Sequence, residues 1–311
     1  MTTHRYFRRG QVQETARRAD EAEMESVRES SVAIDRGIRN DALAEAFMSE
    51  GTTDSAIERQ IETRDLDHDT LVGEVRDELR RREHVMGDAY PFSVREGRLA
   101  YRESVSGVYE FFLASTLGTN QRVQGWHRLT QLFERLAAKL VSRFFGRYAT
   151  AYHVGSHRDC GALFKTAWAE IAARTGEWHW QPALRLPDSG PVSGDQGCDY
   201  VIHVLAPDDR KIAQLFVLGQ CACGNNWQNK LAELDVGRLQ KWFSDGGHIV
   251  PPVRTVATPL HVTDTMLEES SGSAGLIFDR ARLTMLAEAD GRDVIPPFSS
   301  RLRSAIRSVV G

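Results

Sequence analysis

Two runs of β-forming residues, 198–205 and 212–221, flank the turn-forming segment Ala206-Pro207-Asp208-Asp209-Arg210. Strands this close, joined through Pro and Asp, form an antiparallel hairpin. Helical patterns surround it. Upstream, Trp126, Leu129, Leu132, Phe133, Leu136, Leu140 and Phe144 step by three or four, which predicts a helix over 126–145 ending at Gly146. A short strand over 148–154 and a helix over 162–173 follow. Downstream, Gly224-Asn225-Asn226 breaks the second strand, and Trp227, Leu231 and Leu234 predict a helix over 226–243. Pro251-Pro252 precedes a strand at 253–262. The tail reads as helix from Thr265, interrupted at Ser270-Ser271-Gly272-Ser273. This order predicts an α/β domain with a central mixed β-sheet flanked by helices.

The domain so read covers 126–311, behind a mainly helical N-terminal region, 1–125. Residues 1–90 hold 14 Arg against 21 Asp and Glu, so an acidic leader precedes a mildly basic remainder. Leu43, Phe47, Ile57 and Ile61 suggest a helical hairpin about Ser49-Glu50-Gly51. A DNA-reading helix-turn-helix would need residues 54–62 as its second helix, and that stretch is too acidic to approach phosphates. Asp65-Leu66-Asp67-His68-Asp69 lacks the Gly and Glu of a calcium loop. It reads as a helix start capped by Asp69 and followed by Leu71, Val72, Val75 and Leu79. Residues 90–103 read as extended.

With 41% hydrophobic and 26% charged residues in 311, the chain has the balance of a globular protein. Its apolar stretches are too short to span a bilayer, and no apolar run follows the basic start, so neither membrane nor secretion is expected. Four Cys do not make a disulfide scaffold, which favours the cytoplasm. Walker, His-Glu-x-x-His, Gly-x-Ser-x-Gly and kinase signatures are absent.

One constellation carries chemistry. Asp199 opens the first strand of the hairpin, Gln220 closes the second, and Lys230 lies in the helix that follows. Adjacent strands thereby bring a carboxylate and a carboxamide together, with an ammonium within reach. Metal-assisted phosphodiester hydrolysis uses such a set: oxygen ligands hold Mg²⁺ or Mn²⁺, and a Lys stabilises charge or orients water.

Here the chain resembles the PD-(D/E)XK nuclease superfamily, with its restriction-endonuclease-like core, and within it the Mrr-like branch. Gly197-Cys198-Asp199 is similar to the first motif. Gln220-Cys221-Ala222 is similar to the second, with Ala222 in the Lys position. The resemblance spans roughly 126–262. It implies that Glu134, on the first core helix, completes the metal site with Asp199 and Gln220. It also implies that the displaced Lys comes from the following helix, where Lys230 sits, with Lys211 and Lys165 as weaker candidates. Asp195 competes with Asp199 for the metal. The function implied is a divalent-metal-dependent endonuclease acting on DNA, in bacterial restriction or anti-phage defence, with a homodimer or defence-system protein as partner. The alternative is a catalytically inactive, nuclease-like binding or regulatory subunit. A zinc site built from Cys221 and Cys223 with Cys198, Cys160 or His203 is a third reading, disfavoured because only one close Cys pair exists. His153, His157 and His203 read as structural or surface residues.

Overall fold

The computed structural model describes residues 3–35, 54–155, 164–176, 197–208, 210–224, 227–240 and 250–310. The chain forms two compact units, residues 1–109 with 310–311, and residues 110–309.

In the first unit, helices α1 (Thr3–Glu29) and α2 (Asp54–Met86) accompany a small antiparallel sheet. Its strands are β1 (Ser31–Ala33), β2 (Phe92–Arg95) and β3 (Arg98–Tyr101), with β3 central. Leu99 pairs with both Val32 and Val94. The chain reverses at Glu96-Gly97, both at positive φ, the conformation of a tight two-residue hairpin turn. α2 runs unbroken through 65–69, so that acidic segment is helix interior and Asp69 caps no helix start. Residues 54–62, including Ile57 and Ile61, belong to this same 33-residue helix and not to a short recognition helix. The expected turn at 49–51, with Leu43 and Phe47, lies outside the described residues.

α1 has little apolar surface, and a buried polar cluster fastens it to α2. Arg82 is fully buried and donates to Asp20 (2.7 Å), Glu23 (2.8 Å) and Glu78 (2.9 Å). Tyr90 (2.6 Å) and Tyr109 (2.8 Å) donate their hydroxyls to Glu23. Burial opposes ionisation of Glu78, but Arg82 and Arg81 outweigh it and hold that carboxyl below its usual range. Such a cluster tolerates loss of a member poorly, since the remaining charges stay buried.

The second unit contains α3 (Val108–Asn120), which crosses the division at Tyr109, then α4 (Trp126–Phe144), β4 (Ala149–His153) and α5 (Phe164–Thr175). β5 (Tyr200–Val204) and β6 (Leu215–Cys221) form the hairpin. A one-turn 3-10 helix (Trp227–Lys230), α6 (Val236–Gln240), β7 (Val253–Ala257), α7 (Asp264–Ala274), β8 (Leu276–Phe278), α8 (Arg280–Asp290) and α9 (Ser299–Val310) follow. α3 belongs with this unit because Phe112 packs edge-on against Phe133 and Thr116 donates to Pro259 O (3.0 Å).

The sheet runs β4-β5-β6-β7-β8. β4, β5 and β6 are antiparallel neighbours, while β6, β7 and β8 are parallel. This is the mixed sheet expected, and the hairpin pairs as expected, from Tyr200↔Gly219 to Val204↔Leu215. α4 packs over β4, β5 and β6. A separate apolar core joins Trp168 and Ile171 of α5 to Val201, Phe216, Leu218, Leu234 and Leu239. Among the described residues, no helix is long and apolar enough to cross a membrane.

In the second unit further elements differ from expectation, and the strand expected over 253–262 ends at Ala257. The helix foreseen over 226–243 is a 3-10 turn, a non-helical stretch and the short α6, with 241–249 outside the described residues. Tertiary contacts prevail here: Glu233 accepts from Gln220 (2.8 Å), and its carbonyl packs against Gly197. α7 continues through Ser270-Ser271-Gly272-Ser273 without a break. β8, read from sequence as helix, is a strand because it adds to the open edge of β7.

Gly219 lies under the ring of Tyr200, where an added Cβ would collide with Cζ and Cε2. The Tyr200 hydroxyl is fixed on Thr255 Oγ1 (2.8 Å), so the ring has little freedom to retreat. Gly219→Ala should therefore destabilise the protein by about 1–3 kcal/mol through overpacking. Chemical denaturation checks this, and an unchanged midpoint would show that the ring can move aside.

Candidate metal-binding site at the hairpin tip

Asp199 is the node of the site. Its N–H donates to Gly219 O (2.8 Å), and its carbonyl accepts from Val154 and Gly155 (both 2.8 Å). Its Oδ2 accepts from Cys221 N (2.6 Å), and the residue is buried. The ends of β4, β5 and β6 are thus tied together by one residue. Its other oxygen, Oδ1, faces Gly155.

A Cβ on Gly155 would lie 2.9 Å from Asp199 Oδ1, 3.0 Å from Glu134 Oε2 and 3.2 Å from His153 Nε2. Two carboxylates and an imidazole from three elements therefore border the same small space, kept open by the missing side chain. Glu134 comes from α4, whose apolar stripe packs on the sheet, and its Oε2 is 3.1 Å from His153 Nε2. His153, read from sequence as structural, is the residue that holds Glu134 in position. A signal was present: His153 ends a strand two residues before a glycine, immediately after the helix that carries Glu134.

Gln220 is placed differently. His153, Tyr200 and Gly219 stand side by side across three strands, so they share a sheet face. Gln220, one residue on, turns to the other face, where its Nε2 is held by Glu233 Oε2. Its Oε1 is buried and has no hydrogen-bond partner among the described residues. Lys230 ends the 3-10 turn, half-buried. Burial raises the Cys223 thiol well above its ordinary value, Glu134 and Asp199 raise it further, and Lys230 acts in the opposite direction. The ammonium and both carboxylates thus act on one buried sulfur. Lys211 lies in the β5–β6 connection, at the far end of the hairpin from Asp199, beside Gly176. Asp195, Cys160, His157 and the side chain of Lys165 lie outside the described residues.

The donors that meet at Gly155 are two carboxylates, hard oxygens of the type that bind Mg²⁺ or Mn²⁺, and the Gln220 carboxamide is not among them. Two hard oxygen donors border one glycine, and that chemistry suits such a cation. Among the described residues, no group of three or more His, Cys, Asp or Glu is arranged to hold a metal ion. Cys198, Cys221 and Cys223 are buried thiols. His203 is taken up by Gln214, away from the hairpin tip.

No family model matches the chain, and no curated protein matches it. Among solved structures, it is similar to the MspJI restriction endonuclease in complex with a 27-mer oligonucleotide, at 15% identity and a TM-score of 0.30. The similarity covers 68% of this chain and 40% of that one. A likeness of this size adds nothing to the geometry.

The shared field on Cys223 gives a measurable consequence. Asp199→Asn removes a negative charge, so the thiol should titrate at lower pH than in the parent. Lys230→Ala removes the opposing positive charge, so the thiol should titrate at still higher pH. The Raman S–H band that disappears in Cys223→Ala reports both shifts. Parent-like titration in both variants would remove these groups from the neighbourhood of the sulfur.

Proposed function

We propose that the protein is a divalent-metal-dependent nuclease that hydrolyses phosphodiester bonds, with DNA as substrate. The observation that carries this reading is the convergence of the Glu134 and Asp199 carboxylates over Gly155. Restriction or anti-phage defence is the setting that the Mrr-like resemblance implies.

In this reading Glu134 and Asp199 would hold Mg²⁺ or Mn²⁺, and Gln220, expected from sequence as a third ligand, turns to the other sheet face. The bound cation would polarise the scissile phosphate and a water molecule. Asp199 keeps its carboxylate aimed because Cys221 N occupies Oδ2, which leaves Oδ1 toward Gly155. His153 orients Glu134 in the same manner. Lys230 supplies positive charge where negative charge grows on the phosphate, the part played by a Lys at the position that Ala222 occupies here.

The test is incubation with plasmid and linear DNA in Mg²⁺ and in Mn²⁺, with and without EDTA. Asp199→Asn is a better variant than Asp199→Ala. Alanine would strand the buried Cys221 N–H at a cost of about 1–3 kcal/mol, whereas Asn still offers it an oxygen. Asp199→Asn should abolish metal-dependent cleavage while the thermal transition stays near that of the parent. Lys230→Ala should cut roughly two orders of magnitude more slowly, the scale of losing one transition-state stabiliser. DNA affinity in EDTA should hardly change, because one cation adds little to binding through many phosphates. A parent that binds DNA but cuts none with either metal would replace the enzyme by a nuclease-like binding module.

A further inference from the structure

A groove of about 330 Å³ lies between α4 and α9 in the second unit. α4 contributes Arg128, Gln131, Leu132 and Arg135, and α9 contributes Arg301, Ser304, Ala305 and Ser308. Both sets follow the spacing i, i+3, i+4, i+7, so each is a single stripe two turns long, about 10 Å at the rise of an α-helix. Arg and other hydrogen-bonding side chains stand at the ends of the α4 stripe, with Leu132 and the small Ala305 toward the floor. Leu132 and Ala305 are buried, whereas Arg128, Arg301, Ser304 and Ser308 are exposed.

The charge in the groove has one sign. Among the described residues, none of those lining it is acidic. α9 carries Arg301, Arg303 and Arg307 and has no Asp or Glu in its sequence. The acidic residue of the α4 segment, Glu134, sits next to Arg135 but turns to His153 at the candidate metal site. Arg301 has its guanidinium 5.2 Å from the Phe298 ring centre, a stacking arrangement that limits its rotamers. Guanidinium and hydroxyl groups on two facing stripes match the non-bridging oxygens of successive phosphodiesters. About 10 Å is the axial advance of about three nucleotides of one strand.

We infer that the α4–α9 groove is a docking track for the DNA phosphate backbone, gripped by Arg128, Arg135 and Arg301 and continued along α4 to the site at Glu134. The choice of DNA as occupant rests on the nuclease reading; the anionic, repeating character of the ligand rests on the groove itself. The groups engaged are phosphates, so the track positions the duplex without reading its sequence.

The test is binding of a fluorescent duplex in EDTA across 50–200 mM salt. Arg128→Glu with Arg301→Glu is compared with Arg303→Glu with Arg307→Glu, which changes net charge equally on α9 outside the groove lining. The groove pair should lower affinity about tenfold or more and reduce the slope of log K against log salt by about two, one for each phosphate no longer neutralised. The control pair should weaken binding much less. Arg128→Gln with Arg301→Gln repeats the comparison with milder changes, should charge reversal disturb folding in a thermal melt. Equal effects in the groove and control pairs, or none in the groove pair, would overturn the track. So would loss of binding to polyglutamate of matched charge with DNA binding intact, which would assign the groove to an acidic protein. A parent that cuts DNA with no effect of the groove pair sinks the track alone. A parent that never cuts, but whose DNA binding is abolished in the groove pair, sinks the nuclease reading alone.

Discussion

Everything at the candidate site hangs on Asp199 and its hydrogen bonds to the neighbouring strand ends. Its backbone closes the register between β5 and β6 through Gly219 and captures the end of β4 through Val154 and Gly155. Its side chain then crosses to the amide of Cys221. Each bond is buried, so each would be costly to leave unmade. A residue at a strand tip would ordinarily fray. Here the tip is pinned on three sides, and the remaining carboxylate oxygen has one direction left to face.

That pinning leaves Glu134 and Asp199 bordering one glycine, where a Cβ would lie 2.9 Å from Asp199 Oδ1 and 3.0 Å from Glu134 Oε2. His153 Nε2 stands 3.1 Å from the same Glu134 oxygen. In the nuclease reading proposed above, a divalent cation between the two carboxylates would offset their mutual repulsion.

The two units solve the problem of burial by different physics. The first places Arg82, Asp20, Glu23 and Glu78 where an apolar seam would be expected, because α1 has few large apolar residues to contribute. The second has a conventional apolar interior, with Trp168, Phe216 and Leu218 on one side of the sheet and the stripe of α4 on the other. Buried polar side chains in the second unit are spread along the described residues from Glu110 to Thr284. Among these is Arg280, whose guanidinium bonds Pro259 O and Thr116.

Local pattern was enough for the β5–β6 hairpin, for α4 and for the mixed sheet, since period-two and period-3.6 repeats and turn residues are written in neighbouring positions. Asp199 stood out by its place at the start of a hairpin strand, whereas Glu134 came only from the family resemblance. Local pattern misjudged the segment after β6, because Trp227, Leu231 and Leu234 have helical spacing while Glu233 is held by Gln220 and packs on Gly197, both distant in sequence. It missed β8, whose three residues acquire strand geometry only from the exposed edge of β7. It set Gln220 beside Asp199 but could not show that its amide turns to Glu233. Nor could it assign His153 to Glu134, or reveal that Glu134, Gly155 and Asp199 meet. No local repeat encodes the meeting of residues separated by tens of positions; it exists only once α4 lies on the sheet and the strand ends are bonded together.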